Sequence, residues 1–240
     1  MKIKPLLLLF SAALTLPTLA STYKTIRPAT NAIEVDGIAT EKEWSSAQWR
    51  PIDQILLGYE LKPEDFSGRF KLLWDAQHLY LLAEIKDDQL SDVYPDPLEK
   101  YWDEECVEVF VDENASGGIH TYNHNAFAYH VALDNQVVDI DVDEKPKLFN
   151  DHIESQWKNT PDGAIWEMAI KLFPDTYQYG GNNQPVELAK NKTIGFMLAY
   201  CDADGKGNRE HFIGSEVIEG DDKNRGYIDA SVFGKYKLVD

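Results

Sequence analysis

Residues 101–114, YWDEECVEVFVDEN, combine an aromatic ring, a run of acids and a stretch with strict alternation. Because side chains on a strand alternate in direction, Val107, Val109 and Val111 share one face, and the opposite face carries Cys106, Glu108, Phe110 and Asp112. The valine face predicts core packing. Trp102 and Glu108 together offer an apolar platform and an acceptor, which suit a neutral, hydroxyl-rich ligand such as a sugar. A half-exposed sheet with solvated acids is the alternative.

The N-terminus has the layout of a secretory signal peptide. Lys2 and Lys4 precede the apolar run 6–16, and a small-residue cleavage site ends at Ala20. We therefore expect residues 1–20 to be removed, residues 21–240 to form one domain, and the product to be exported to the periplasm or secreted. No later apolar run approaches the ~20 residues that a membrane-spanning helix needs, so no membrane partner is expected.

Composition restricts the class of ligand. Removing Lys2 and Lys4 leaves 21 basic against 41 acidic residues, a net charge of −20 for the expected mature chain. Such a surface repels nucleic acid, anionic lipid and polyanionic polysaccharide, so a neutral ligand or a cation remains. The 43% hydrophobic content with 12% aromatics predicts a packed core rather than disorder.

Short strands separated by turn residues run along the chain, with no linker or repeat. They are predicted at 70–74, 78–85, 106–112, 126–133, 137–142, 165–172, 193–201 and 236–239. Helical turns are predicted only at 41–46 and 175–179. This pattern indicates an all-β chain, folded as a two-sheet antiparallel β-sandwich of jelly-roll or immunoglobulin-like type, because sheets with one apolar face must bury it against another.

Several segments together resemble the family 9 carbohydrate-binding modules and their sandwich relatives. They are AIEVDGIATEKEW, FKLLWDAQHLYLLAEIKD, WDEECVEVFVDEN, IWEMAIKLF, IGFMLAYCDADGKGNR and FGKYKLV, which follow the family's order across the expected mature chain. The resemblance implies a non-catalytic module that binds a neutral mono- or oligosaccharide.

The resemblance also implies a set of site residues. In the family, a sugar ring is clamped between two aromatic side chains, which match Trp102 and Tyr227 here. Glu108 matches a sugar-binding glutamate, and Asn224 matches an asparagine that contacts the sugar. The chain departs from the family by carrying Tyr227 in place of tryptophan and His130 in place of a binding arginine.

Two other functions remain open from the sequence. A glycoside hydrolase needs two facing carboxylates, for which Glu105 or Glu108 with Asp112 are candidates. A haem-binding sandwich module is the second, by analogy with relatives, with a histidine and Met168 or Met197 as iron ligands. The sequence lacks a nucleophile elbow, a phosphate-binding loop and a zinc-protease motif.

Two segments have residue types that bind metals. His120 and His124 have a spacing that suits zinc only on a helix, and the alternation that follows them predicts a loop and a strand instead. Asp202 and Asp204 precede a glycine in the order DADG, which permits a calcium-binding loop or an ordinary turn. Because calcium is found in the family, the resemblance implies a structural calcium ion at Asp202 and Asp204.

The two cysteines are an even pair in a chain expected to meet an oxidising compartment. Cys106 and Cys201 both lie in predicted strands, and the resemblance places them on the same face as Glu108. A cross-strand disulfide beside the binding surface is therefore open, as are two free thiols. The sequence does not determine the glycan or the oligomeric state.

Overall fold

The computed structural model describes residues 23–161, 163–205 and 207–240, so the expected signal peptide at 1–20 lies outside the described residues. These ranges contain fourteen strands: β1 (Lys24–Pro28), β2 (Arg50–Ile52), β3 (Gln54–Leu57), β4 (Phe66–Trp74), β5 (Leu79–Asp87), β6 (Cys106–Asp112), β7 (Phe127–Ala132), β8 (Val137–Ile140), β9 (Pro146–Leu148), β10 (Ile153–Thr160), β11 (Gly163–Ile170), β12 (Thr193–Asp202), β13 (His211–Gly214) and β14 (Gly234–Leu238). They also contain three short 3₁₀ helices, at Lys42–Ser46, Arg225–Tyr227 and Ala230–Val232. Within these ranges, no helix is long and apolar enough to cross a membrane.

The strands form two sheets that meet at β1. The first sheet has the order β1-β14-β12-β6-β7-β8-β9, with β13 beside β12 and β3 beside β13, and the second has the order β10-β11-β5-β4-β1, with β2 also beside β4. β1 runs parallel to β14 in the first sheet and to β4 in the second, while the other described pairs are antiparallel. The predicted all-β sandwich is confirmed, and the parallel strand β1 is its one departure from a wholly antiparallel arrangement.

The main core lies between the two sheets. Val107, Val109 and Val111 of β6 are buried in it, as their alternation predicts, together with Phe70 and Trp166 of the second sheet. β6 has the predicted bounds, Cys106–Asp112. The strict alternation therefore identified both the strand and its core face correctly.

A second apolar cluster covers the opposite face of the first sheet. It contains Cys106 and Phe110 of β6, Met197 and Cys201 of β12, and Phe212 of β13, all of them buried. Loops cover this face instead of a third sheet. The residue types expected to bind a ligand project from the same face, so this cluster forms the foundation of the site.

The structure corrects some element boundaries. The predicted helical turn at 41–46 is the 3₁₀ helix Lys42–Ser46, whereas residues 175–179 form a turn with no helix. The sequence predicted none of the strands β1, β2, β3, β9, β10 and β13. All of these except β10 are five residues long or shorter. Among the described strands, β10 pairs only with β11, and its sequence IESQWKNT lacks a clean apolar face.

Candidate functional site

A cavity of about 330 Å³ opens on the loop-covered face of the first sheet. Its floor includes Phe110, Ala128 and Phe212, and loops form its walls. The five residues that the resemblance assigned to ligand binding all line this cavity: Trp102, Glu108, His130, Asn224 and Tyr227. We call it the pocket. Residues up to 125 positions apart in the sequence thus contribute to one concave surface, which is the usual form of a small-molecule site.

Strand register places the polar residues inside the pocket. Glu108 of β6 lies directly opposite His130 of β7, so both side chains project from the same face. Both are buried, with exposed fractions of 2% for Glu108 and 7% for His130. On the other side of β6, the neighbour of Glu108 is Ala199 of β12, a small residue that leaves space for the carboxylate.

Glu108 and His130 form an ion pair. The Oε2 of Glu108 lies 3.2 Å from the Nε2 of His130, and the Nδ1 of His130 lies 3.2 Å from the carbonyl oxygen of Ala128. Burial by itself lowers the pKa of His130, but the charge and hydrogen bond of Glu108 outweigh it and raise that pKa above its usual value. Because the carbonyl and the carboxylate are both acceptors, this arrangement favours an imidazole that donates from both ring nitrogens.

Exposed aromatic rings stand around the pocket. Trp102 is 41% exposed, Tyr122 is 46% exposed and Tyr227 is 49% exposed, and all three line the cavity. The buried ring of Tyr101 packs edge-on against both Trp102 and His130, at centroid distances of 4.9 and 4.8 Å. Exposed aromatic surface beside buried polar groups is characteristic of a binding site rather than of an ordinary protein surface.

Tyr227 is held by contacts between two loops. The Nε2 of His120 donates to the carbonyl of Gly226 over 2.8 Å, and the amide of His120 donates to the carbonyl of Ile228 over 2.9 Å. A side chain at Gly226 would meet the Cε of Met197 at 2.7 Å, so this turn lies directly on the buried cluster. The 3₁₀ helix Arg225–Tyr227 is thereby fixed over the floor of the pocket.

Asn224 precedes that helix. Its backbone amide donates to Asp222 over 3.0 Å, while its side-chain amide makes no hydrogen bond to any described residue. The amide group therefore has donor and acceptor capacity available for a ligand in the pocket.

Sequence reasoning missed several residues of the pocket, among them Arg209, Asp139 and Tyr122. Arg209 has its guanidinium 4.3 Å from the centre of the Phe212 ring, and Asp139 accepts from the amide of Ala128 over 2.9 Å. Burial raises the pKa of Asp139 to about 6. The third is Tyr122, which has a positive φ of 57°. Asp139 and Tyr122 lie outside the segments quoted for the family resemblance, and Arg209 is the last residue of one of them, so no spacing rule identifies these three residues.

The two loop histidines do not share a metal site. His120 donates to Gly226, whereas the Nδ1 of His124 lies 2.9 Å from the carbonyl oxygen of Tyr177 and its Nε2 lies 3.2 Å from Asp141. The segment that carries them is a loop, as predicted, and the two imidazoles hold it to two different parts of the molecule.

Asp202 and Asp204 belong to an acidic cluster at the end of β12. Carboxylate oxygens of Asp87, Asp202 and Asp204 lie within 4.8 Å of one another, and so do those of Asp65, Asp88 and Asp204. Burial, with added repulsion from Asp204, raises the pKa of Asp202 to about 7. The set is rich in carboxylate oxygens, and the buried Oδ2 of Asp87 has no hydrogen-bond partner among the described residues, so the set fits a hard divalent cation.

The cysteines face each other across β6 and β12. Cys106 and Cys201 are fully buried free thiols, and their sulfurs lie within 4.8 Å of one another. The disulfide considered from the sequence is not formed in this structure.

The carboxylate pairs considered for hydrolysis are separated in the structure. Glu108 lines the pocket, but Asp112 accepts from the amides of Asn114 and Gly117 and holds the turn after β6. Glu105 accepts from the amide of Ala203 beside the acidic cluster. Neither Glu105 nor Asp112 lines the pocket.

The two methionines considered for haem are buried in different places. Met168 lies in the main core, and Met197 lies in the cluster beneath the pocket.

The fold and the pocket define a sugar-binding β-sandwich, and the sequence matches the model of the carbohydrate family 9 binding domain-like family over residues 35–240. The chain belongs to this family and contains a carbohydrate-binding domain. Endo-1,4-β-xylanase A of Thermotoga neapolitana is 27% identical over 208 residues, and endo-1,4-β-xylanase C of Paenibacillus barcinonensis is 31% identical over 208 residues. The matched regions are 86% and 85% of this chain but only 16% of each xylanase, so the chain spans a small part of these relatives.

Solved structures show the same fold. A family 9 module from Caldicellulosiruptor kristjanssonii in complex with cellotriose has a TM-score of 0.66 and 22% identity, over 90% of this chain and 94% of that one. A second solved structure, of a protein from Bacteroides uniformis, has a TM-score of 0.58 and 13% identity, over 90% of this chain and 97% of that one.

Proposed function

We propose that the chain is a non-catalytic sugar-binding protein that holds a neutral sugar ring between Trp102 and Tyr227. The observation that carries the proposal is the position of these two exposed rings on a single pocket with Glu108, His130 and Asn224. An aromatic face stacks on the C–H face of a pyranose, while the buried polar groups pair with hydroxyls that stacking would leave unsatisfied.

The expected ligand is a neutral mono- or oligosaccharide. The net charge of −18 disfavours a polyanion. The Caldicellulosiruptor module was solved with glucose and with cellotriose, so glucose and cello-oligosaccharides are the first candidates. The xylanase relatives make xylo-oligosaccharides the second set. A binding role of this kind serves the breakdown of plant polysaccharides, in which the hydrolysis is done by a separate enzyme.

We propose further that the protein acts outside the cytoplasm. The layout of residues 1–20 supports export through a cleaved signal peptide. N-terminal sequencing of the protein recovered from culture should begin near Ser21, and an intact Met1 in all cell fractions would contradict export.

The direct test of function is calorimetric titration of residues 21–240 with these sugars in calcium-containing buffer. Saturable binding of at least one neutral sugar supports the proposal. A folded protein that gives no heat with any of them would overturn it. Release of reducing sugar from xylan or cellulose would overturn the non-catalytic part and favour a glycoside hydrolase, and a Soret band in purified protein would favour a haem module.

A structural calcium ion is proposed for the acidic cluster. Asp202 and Asp204, with Asp87, would hold it through carboxylate oxygens and relieve the repulsion among them. Calcium should raise the melting temperature of the chelated protein, and Asp202→Asn should reduce that rise, whereas Asp53→Asn, outside the cluster, should not. An identical melting temperature with calcium and with chelator would contradict the assignment.

A further inference from the structure

Beneath the pocket, four side chains with metal-binding atoms converge where β12, β6 and β7 lie side by side. Cys201 of β12 pairs with Cys106 of β6, and two residues further along β6, Glu108 pairs with His130 of β7. Because residues i and i+2 of a strand share a face, these side chains project to the same side of the sheet. The sulfur of each cysteine and a ring nitrogen of His130 all lie within 4.8 Å of one another.

Glu108 lies beside this set. Its Oε2 is 3.2 Å from the Nε2 of His130 and 4.0 Å from the Sγ of Cys201. Two sulfurs and one ring nitrogen thus converge, with a carboxylate oxygen next to two of the three side chains. All four side chains are at least nine-tenths buried, so no flexible surface group is involved.

The surroundings are those of a metal ligand set. The Nδ1 of His130 lies 3.2 Å from the carbonyl of Ala128, which orients the ring and leaves its Nε2 beside Glu108. A histidine that binds a metal through one nitrogen nearly always donates from the other in this way. Arg209 donates to the Sγ of Cys201 over 3.3 Å, an interaction that stabilises a thiolate.

We propose that Cys106, Cys201 and His130 bind a zinc ion beneath the pocket, with the Glu108 carboxylate beside it. Two sulfurs and one nitrogen suit the borderline-soft Zn²⁺ better than they suit calcium or magnesium.

Charge balance supports zinc. Two thiolates and the Glu108 carboxylate carry three negative charges, and Zn²⁺ with the Arg209 guanidinium carries three positive charges, so the buried assembly is neutral. The ion displaces the protons from the two sulfurs and from the Nε2 of His130, and these protons pass to solvent. The pocket supplies the route of entry, since Glu108 and His130 line it.

The test is a titration of the reduced, folded protein, residues 21–240, with Co²⁺ and then with Zn²⁺. Excess calcium is present to occupy the acidic cluster, because calcium prefers oxygen ligands and does not compete for thiolates. One Co²⁺ per chain should bind and produce a thiolate-to-cobalt charge-transfer absorption in the near ultraviolet, and one equivalent of Zn²⁺ should abolish that absorption. Sugar is absent, so the result does not depend on the proposed function.

Variants identify the ligands. Cys106→Ser and Cys201→Ser should each lose most of the charge-transfer absorption, and His130→Gln should weaken zinc binding by more than about tenfold. His78→Gln, in which a partly exposed imidazole outside the site is removed, should behave as the parent does. X-ray absorption at the zinc edge of the parent, which needs no variant to fold, should show sulfur neighbours at about 2.3 Å.

Three results would overturn the proposal. One is cobalt or zinc binding without sulfur ligation, which would place the ion on carboxylates alone. Another is no metal binding by a protein whose two thiols are both shown to be reduced. The third is protein isolated without reductant in which a Cys106–Cys201 disulfide is present and zinc is absent.

Discussion

In the pocket, different side chains are suited to stacking on a ligand and to hydrogen bonding with it. Trp102 and Tyr227 present about half of their surface to solvent, whereas Glu108 and His130 are almost fully buried. A ring that is exposed without ligand has apolar surface to bury on binding, and a buried ion pair is already oriented for a hydroxyl. We therefore expect both kinds of residue to contribute to the affinity for sugar, the aromatic rings through buried apolar surface and the polar pair through hydrogen bonds.

Trp102→Ala should weaken sugar binding by about 2 kcal/mol, or roughly 30-fold, because it removes one face of the proposed clamp. Trp49→Ala is the matched control, since Trp49 packs under Arg69 and Lys71 outside the pocket. The measurement is the sugar affinity of both variants by calorimetry. Equal loss of affinity in the two would show that Trp102 acts only through general stability.

Glu108→Gln should cost about 1.5–3 kcal/mol of sugar-binding free energy, because a charged acceptor is replaced by a neutral one next to His130. Glu84→Gln, on an exposed part of β5, serves as the control. The measurement is the dissociation constant of the sugar that the parent binds best. If Glu108→Gln binds the sugar with unchanged affinity, the carboxylate of Glu108 does not contribute to sugar binding.

Among the strands and loops, the arrangement that matters most is the pair of loops that holds Tyr227. The loop containing His120 bonds to the turn at Arg225–Tyr227 through a side chain and through backbone groups. A loop that carries an exposed ligand-binding ring needs such fixing, because ordering a mobile loop on binding would cost affinity.

His120→Ala should loosen this turn. The carbonyl of Gly226 loses its partner, so amide hydrogen exchange should become faster at residues 225–230 and sugar affinity should fall several-fold. His124→Ala is the control within the same loop, because His124 contacts Tyr177 instead. If the exchange at 225–230 is the same in both variants as in the parent, His120 does not position Tyr227.

How much could be predicted from the sequence also differs between elements. β6 was predicted to the residue because Val107, Val109 and Val111 alternate strictly with the other face. β10 and the parallel strand β1 were missed, because an edge strand has a polar exposed face and a strand shared between sheets has no single pattern. Turn 175–179 was read as helical from a short local signal, which tertiary contacts override.

The site was predictable only in part, because some of its residues reach the pocket through tertiary contacts that the sequence does not display. Trp102 and Glu108 stand close together in one motif, and the family resemblance supplied Asn224, Tyr227 and His130. Arg209 reaches the pocket because its backbone amide donates to Asp103 and its guanidinium packs on Phe212, contacts that exist only in the folded chain.

Across the whole molecule, stability depends on buried titratable groups as well as on the apolar core. His152 is fully buried, its Nδ1 lies 2.6 Å from the hydroxyl of Tyr129, and its ring stacks on Phe173 at 4.0 Å. Burial lowers the pKa of His152 from 6.5 to about 4. The neutral imidazole and the hydroxyl of Tyr129 share a buried hydrogen bond.

The free energy of unfolding should fall as pH decreases from 6.5 to about 4. In this range His152 binds a proton in the unfolded state but stays neutral in the folded state, because its pKa is lower there. Above pH 6.5 this contribution is fully present, and its complete loss amounts to about 3 kcal/mol. Urea unfolding of the parent and of His152→Gln across this range isolates the effect, with His78→Gln as control. An identical pH dependence in parent and His152→Gln would contradict it.

The central claim is that a neutral sugar binds in the pocket between Trp102 and Tyr227. The most direct measurement is a crystal structure of the protein soaked with glucose or cellotriose. The account predicts a sugar ring stacked between these two side chains, with a hydroxyl on Glu108 and another on Asn224. A sugar bound on another surface, with the pocket empty, would contradict it.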